Sequence, residues 1–420
     1  MAKENVSKIV RRVVKKQRRI EPSLPGGFRD YGPADAIARS QMLETVRKTF
    51  ETFGFDPMET ASVQRKDVLF GGEKESEKIV FEVKGSREKK SDTVLRFDLT
   101  VPFARFMAAN PEIPKPFKRY QIGNVWRGES PQAGRYREFM QADIDIIGPC
   151  SADADVEVIL TIYRTLKNLG IDDFVIKINS RKILNALPSY AGFSEKKLWA
   201  VLRILDKKDK IGNEGIKKEF IKAIGKTAAN KIEEFLKGDF SRSDELSEIR
   251  DTLVAMGVEK DNIEIDYTIV RGLSYYTGVV LETFLTKVPE MGSIVSGGRY
   301  DELLMPFTGQ KIPAVGVSIG IDRLYAASEK LNAVKKQATT TKVLVFNLSS
   351  ELKSNYLEII KQLRAANINT SFYLGDDTSF QAQLAYAVKK EIPFVVIYGD
   401  EEKKKGVIAI KNLVTREQKS

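Results

Sequence analysis

Residues 117–148 read FKRYQIGNVWRGESPQAGRYREFMQADIDIIG, and the alternation in this stretch decides the fold. In its second half Met140, Ala142, Ile144 and Ile146 share one face of an extended chain, while Phe139, Gln141, Asp143 and Asp145 share the other. The first half, 117–129, reads as a second strand running into a loop at 130–137. Paired, the two strands make a hairpin with an apolar back and a polar front. A sheet with one wet face is common among antiparallel sheets. This front, however, sets an aromatic ring beside acids and an amide, a mixture that suits a floor for a ligand.

Outward from the hairpin, DTVLRFDLTV (92–101) alternates in the same way, and its spacing predicts a strand with Arg96, Asp98 and Thr100 on one face. Residues 21–34 are turn-rich and lead into a helical pattern that ends at Gly54. A helix is expected over 152–170, closed by Gly170. From about 180 to 260 the pattern is one of short helices, read as an all-helical insertion. Sheet patterning returns at 262–284 and 292–304, and 313–331 reads as strand then helix. A polar linker at 332–341 precedes a tail in which strands alternate with helices, which implies a small sheet with parallel pairs.

Composition bounds the function. At 420 residues, two to four domains are expected. An apolar content of 42% with 30% charged residues is that of a soluble globular protein. The net charge of +11 favours polyanionic partners, although charge alone equally describes a lysine-rich surface. A single cysteine, Cys150, permits no internal disulfide and fits a reducing, cytoplasmic setting. No apolar run of about 18 residues is present, so no membrane-spanning helix is expected. Residues 1–20 carry eight Lys or Arg and lack the apolar stretch of a secretion signal; they read as a basic leader. The chain has no histidine at all, which removes Ser-His, Cys-His and His-metal chemistry together. What remains is Arg, Lys, Asp, Glu, Tyr, backbone groups and the substrates themselves.

Three arginines stand at sheet-associated places: Arg127 at a strand end, Arg271 in the segment IVRGLSYYTG (269–278), and Arg323 at a strand-to-helix junction. Arginine is always charged and forks onto carboxylate or phosphate. A buried arginine is costly unless an anion meets it, so the trio suggests a polyphosphate ligand. The glycines of GGRYD (297–301) and VGVSIGIDR (315–323) would let backbone approach such a ligand. The sequence contains no GxxxxGK[ST], and no GxGxxG follows a strand.

Taken in order, FRDYGP, LRFDLTVPFAR, the 117–148 stretch, VRGLSYYTG, IVSGGRYDEL and GVSIGIDRL, followed by the α/β tail, resemble the histidyl-tRNA synthetases, which are class II aminoacyl-tRNA synthetases. The resemblance covers essentially everything after the basic leader. It implies an α+β catalytic core built on the antiparallel sheet of class II synthetases, with a helical insertion, plus a C-terminal α/β anticodon-binding domain. The corresponding limits are 1–20 for the leader, 21–178 and 261–330 for the core, 179–260 for the insertion, 331–341 for the linker and 342–420 for the tail. It implies activation of L-histidine with ATP as substrate, together with Mg2+ and without a protein-bound structural metal, then transfer to tRNA(His) by a homodimer with no membrane partner.

Carried over by position, the resemblance implies that Asp98, Thr100 and Gln141 hold the α-amino group. Asp145 and Tyr276 read the imidazole nitrogens, with Tyr275 beside them. Arg127 and Arg271 act at the α-phosphate and carboxylate as the catalytic pair. Phe139, Glu129 and Arg323 hold ATP. The tail is expected to read the GUG anticodon, and Lys207, Lys208 and Lys210 of the insertion to clasp the acceptor stem. One departure is Ser274, where the family has aspartate. A paralogue that does not aminoacylate, of the type that regulates ATP phosphoribosyltransferase, is the alternative. Freedom from histidine would let a histidine-charging enzyme be translated while charged histidine tRNA is scarce; an engineered sequence or a biased genome accounts for it equally.

Overall fold

The computed structural model describes residues 20–70, 80–87, 91–131, 134–237, 244–270 and 275–420. Arg271, Ser274 and most of the basic leader lie outside the described residues. The strands in chain order are β1 (Asp56–Pro57), β2 (Val63–Arg65), β3 (Glu82–Val83), β4 (Thr93–Leu95), β5 (Phe117–Trp126), β6 (Glu138–Ile147), β7 (Phe174–Ser180), β8 (Ile263–Ile265), β9 (Val279–Leu285), β10 (Ser293–Arg299), β11 (Ala314–Gly320), β12 (Val343–Val345), β13 (Thr370–Phe372), β14 (Phe394–Ile397), β15 (Ala409–Asn412) and β16 (Gln418–Lys419).

The hairpin expected from 117–148 forms the second and third strands of an eight-stranded sheet ordered β1-β5-β6-β11-β10-β9-β7-β8. Its interior pairs are antiparallel, with parallel pairs only at the two edges, β1 with β5 and β7 with β8. Ala142, Ile144 and Ile146 are buried in the main core, and Met140 packs against it. That core also takes in apolar residues from the helices Pro33–Thr52, Asp153–Asn168 and Ile321–Lys330. The apolar back is therefore a helix-covered face, where each fully buried Leu, Ile or Phe contributes about 1.5–3 kcal/mol. Among the described residues five α-helices lie between Arg181 and Ala255, where short helices were expected. The tail is a five-stranded sheet ordered β13-β12-β14-β15-β16, parallel around β12 and antiparallel beyond β14.

Three local expectations change. The strand expected over 92–101 stops at Leu95, and a helix spans Thr100–Ala109. Asp98 Oδ1 accepts from the backbone N–H of Val101 at 3.3 Å, satisfying an orphan donor of the helix start and turning the chain out of the strand. Tyr275 and Tyr276 precede β9 rather than lying within it. The glycines of 297–298 are taken up by the sheet itself. A Cβ on Gly297 would lie 2.3 Å from the Gly316 carbonyl oxygen, and one on Gly298 would lie 3.0 Å from the Tyr276 ring.

Gly316 carries the tightest constraint, because a Cβ there would lie 1.9 Å from Asp145 Oδ1. Gly316→Ala should therefore cost about 1–3 kcal/mol of stability, as overpacking does. Gly320→Ala, whose Cβ meets nothing nearer than 3.7 Å, should leave the urea midpoint of the core almost unmoved. Equal midpoints for the two variants would contradict this reading of Gly316.

Candidate active site

The front of β6 is read one rung at a time. Register pairs place Val125, Gly123, Gln121 and Arg119 of β5 opposite Phe139, Gln141, Asp143 and Asp145. On the other side, β11 sets Gly320, Ser318 and Gly316 against Gln141, Asp143 and Asp145. A cavity of about 360 Å³ opens over this floor. Of the residues expected to bind a ligand, Asp98, Thr100, Arg127, Glu129, Phe139, Gln141, Tyr275, Tyr276 and Arg323 all line it.

Among the described residues Asp145 is the exception. It lies beneath the floor at 1% exposure, with its carboxylate engaged by the Tyr300 hydroxyl and by Arg119 Nη2 at 2.6 Å. Tyr300 does line the cavity, so Asp145 acts on the cavity through that hydroxyl. Arg119 is itself fully buried, lies over the Phe103 ring at 4.5 Å and donates to the Leu99 carbonyl at 3.2 Å. Neither Arg119 nor Tyr300 was expected from the sequence, although the two-residue period of β5 puts Arg119 on the same face as its register partner Asp145.

The other side chains are held by short local contacts. Arg127 Nε donates to the Phe97 carbonyl at 3.0 Å, and its guanidinium lies 5.1 Å from the Phe139 ring centroid. Gln141 Nε2 donates to Ser318 Oγ at 2.6 Å, turning its amide oxygen elsewhere. Thr100 hydrogen-bonds the Tyr275 hydroxyl, and Tyr275 in turn that of Tyr276. Arg323 Nη1 donates to the Ser293 carbonyl. Its neighbour Asp322 is met by Tyr31, Arg39 and the backbone N–H of Met140, the last at 2.6 Å. The turn-rich segment thus reaches the site. It also latches the loop after β5: Arg137 N donates to the Gly27 carbonyl at 2.7 Å, and Arg29 to Tyr136 Oη at 3.0 Å. From that loop Arg135 and Tyr136 line the cavity. In the insertion Lys207 pairs with Glu219 at 2.9 Å, and the side chain of Lys210 lies outside the described residues.

Burial dominates the electrostatics. It pushes Asp98 up to about 6, against the pull of Arg127. It pushes Asp143 up to about 7, with Arg119 pulling down and Asp145 pushing up. Asp145 is also raised by burial, against Arg119 and Tyr300. Among the described residues no three His, Cys, Asp or Glu side chains group as a metal cage, and no helix is long and apolar enough to cross a membrane.

Asp143 thus binds its proton more tightly folded than unfolded. Its ionisation destabilises the empty protein above about 7 and has no effect below the ordinary carboxylate range near ~4. Asp143→Asn should raise the thermal midpoint of the ligand-free protein at pH 8, and the gain should shrink as pH falls from 7 towards 4. A gain that is flat or grows towards acid contradicts this.

Comparison with known proteins agrees with this geometry. A sequence profile of the histidyl-tRNA synthetases matches residues 27–324, and one of the anticodon-binding domain matches 342–420. The histidine–tRNA ligase of Wolinella succinogenes is 39% identical, with 97% of each chain covered. That of Rhodopirellula baltica is 38% identical, with 95% of each covered. The crystal structure of histidyl-tRNA synthetase from Nostoc sp. PCC 7120 superposes with a TM-score of 0.85 at 33% identity, covering 96% of this chain and 97% of that one. The chain belongs to the histidyl-tRNA synthetase family.

Proposed function

We infer that the chain is a ligase that joins L-histidine to ATP as histidyl-adenylate, releasing pyrophosphate, and then moves the histidyl group to the 3′ end of tRNA(His). The observation that carries this is the convergence of Asp98, Thr100, Arg127, Gln141, Tyr275 and Tyr276 with Phe139, Glu129 and Arg323 on one cavity above the sheet.

The roles follow from chemistry. Asp98, Thr100 and Gln141 surround the substrate ammonium. The Tyr276 hydroxyl, already accepting from Tyr275, donates to one imidazole nitrogen. Tyr300 spends its proton on Asp145, so its oxygen is left to accept from the other ring N–H. A neutral imidazole has one nitrogen of each kind, and leaving either tyrosine unpaired penalises the wrong amino acid. Phe139 supplies a face for adenine, with Arg323 opposite and Glu129 at the edge.

Arg127 and Arg271 meet the charge that builds on the α-phosphate as the histidine carboxylate attacks it. Phosphoryl transfer is mainly positioning and electrostatic stabilisation, and fixed guanidinium groups supply both without a histidine. The carboxylates of Glu129 and Glu282 also line the cavity. With Glu129 at the adenine edge, Glu282 is the carboxylate that suits a Mg2+ ion arriving on the ATP phosphates, since this ion is usually held by one or two carboxylates plus phosphate. In the second step a phosphate oxygen of the adenylate takes the proton of the attacking ribose hydroxyl. The domain limits read from the sequence, a homodimer, a cytoplasmic setting and reading of a GUG anticodon by residues 342–420 complete the proposal. The match of those residues to an anticodon-binding domain speaks against the paralogue that does not aminoacylate.

Histidine-dependent exchange between ATP and pyrophosphate tests the reading; no exchange at saturating histidine and ATP removes it. Arg271→Ala should lose roughly 3–4 kcal/mol of transition-state stabilisation, the worth of one strong electrostatic donor. A near-normal exchange rate in that variant refutes the role given to Arg271.

A further inference from the structure

Asp143 lines the same cavity and is only 2% exposed. None of the roles above uses it. Three buried oxygens among the residues facing this part of the cavity find no hydrogen-bond partner among the described residues: Asp98 Oδ2, Gln141 Oε1 and Asp143 Oδ1. An unpaired buried acceptor is costly, and three together mark a place built for donors.

The three are not scattered. Gln141 Nε2 lies 2.6 Å from Ser318 Oγ, and Ser318 hydrogen-bonds the Asp143 carboxylate as well. Since Ser318 accepts from Gln141, its own proton is free for Asp143. One hydroxyl thus gathers the heads of Gln141 and Asp143 and leaves an acceptor on each. Asp98 faces them from the loop before the helix Thr100–Ala109. The charged groups felt by Asp143 are Arg119 and Arg96 on one side and Asp98 and Asp145 on the other. Arg119 is already taken by Asp145 at 2.6 Å.

We propose that Asp143 is a further anchor for the substrate α-ammonium, joining Asp98 and Gln141 as acceptors for its three N–H donors, with the Thr100 hydroxyl, hydrogen-bonded to Tyr275, at their edge. The inference rests on the histidine-binding reading above and adds a residue to it. Ser318 is the positioning residue that aims Asp143 and Gln141 together. An ammonium held by two carboxylates and an amide gives this end of the site a requirement for a free amino group, separate from the reading of the ring.

The test compares L-histidine with imidazole-4-propionate, which keeps the ring and the carboxylate but lacks the amino group. Equilibrium binding to the full chain is measured for both. The unaltered protein should prefer histidine by at least tenfold; no such preference removes the histidine-site reading itself and is seen before any variant is made. Asp143→Asn should cut that preference by about tenfold, through weaker histidine binding with little change for the deamino ligand. Equal weakening of both, or no change, overturns the proposal. Should Asp143→Asn fail to fold, Asp143→Ser, smaller and also uncharged, is read in the same way: histidine should bind more weakly with little change for the deamino ligand. Equal weakening of both ligands by Asp143→Ser, or no change, also overturns it.

Discussion

Everything at the floor of this cavity leans on one buried ion pair, Arg119 with Asp145, set directly opposite each other across the β5–β6 ladder. Burying two charges is expensive, and their attraction offsets the cost only when further hydrogen bonds are made. Here Tyr300 donates to the aspartate and the Leu99 carbonyl accepts from the arginine. Removing one member would leave the other charged and uncompensated, at about 3–5 kcal/mol. The pair also couples parts of the site. Leu99 lies between Asp98 and Thr100, so the guanidinium that fixes the floor also fixes the loop that carries two of the proposed substrate contacts. Gly316 is the third neighbour, bare of Cβ because the Asp145 carboxylate occupies that space.

Above this base, the front of β6 grades from an aromatic ring through an amide to two acids. At about 3.3 Å per residue, Phe139 to Asp145 spans roughly 20 Å, the scale of an amino acid joined to a nucleotide. In the proposed binding mode the sheet sorts the ligand by depth, with the flat base at the open end and the charged and ring-reading groups further in. Arg127, held by the Phe97 carbonyl beside the Phe139 ring, sits where the two halves meet. The turn-rich segment near residue 30 supports the open end, since Tyr31 and Arg39 hold Asp322, and Asp322 holds the backbone between Phe139 and Gln141.

The hairpin, its two faces and the run of helices after Arg181 were legible because their periods are strong and their lengths ordinary. Nine proposed ligand contacts share the cavity because the resemblance fixed their positions, and the alternation of β6 independently put two of them, Phe139 and Gln141, on one face. The places where the reading slipped have local physical causes. Asp98 looks like a strand residue by period, yet its side chain accepts a helix N–H, a competition that period alone cannot decide. Asp145 looks like a floor residue by period, yet a carboxylate opposite an arginine and beside a tyrosine is pulled below the surface. Arg119 was passed over because its strand reads as mixed polar and apolar. Only pairing with β6, a long-range fact, makes its partner visible. The glycines at 297 and 298 signalled close approach correctly but not what approaches, which is the neighbouring strand and the Tyr276 ring rather than a ligand.

A chain without histidine that handles histidine must read an imidazole with other groups, and the buried tyrosines and carboxylates suit that work for a reason beyond hydrogen-bond count. Burial raises Tyr275, Tyr276 and Tyr300 well above their ordinary range, so they stay neutral across physiological pH and keep a fixed donor-acceptor pattern. A histidine in their place would titrate near neutrality and change its pattern there. The carboxylates behave oppositely. Asp98 and Asp143 are pushed to about 6 and about 7, so the empty site is strained when they ionise, and a cation relieves the strain. Stability given up in the empty protein reappears as affinity for a ligand with an ammonium group. In the proposed roles the tyrosines hold the pattern that identifies the ring, and the acids hold the charge that draws the amino acid in.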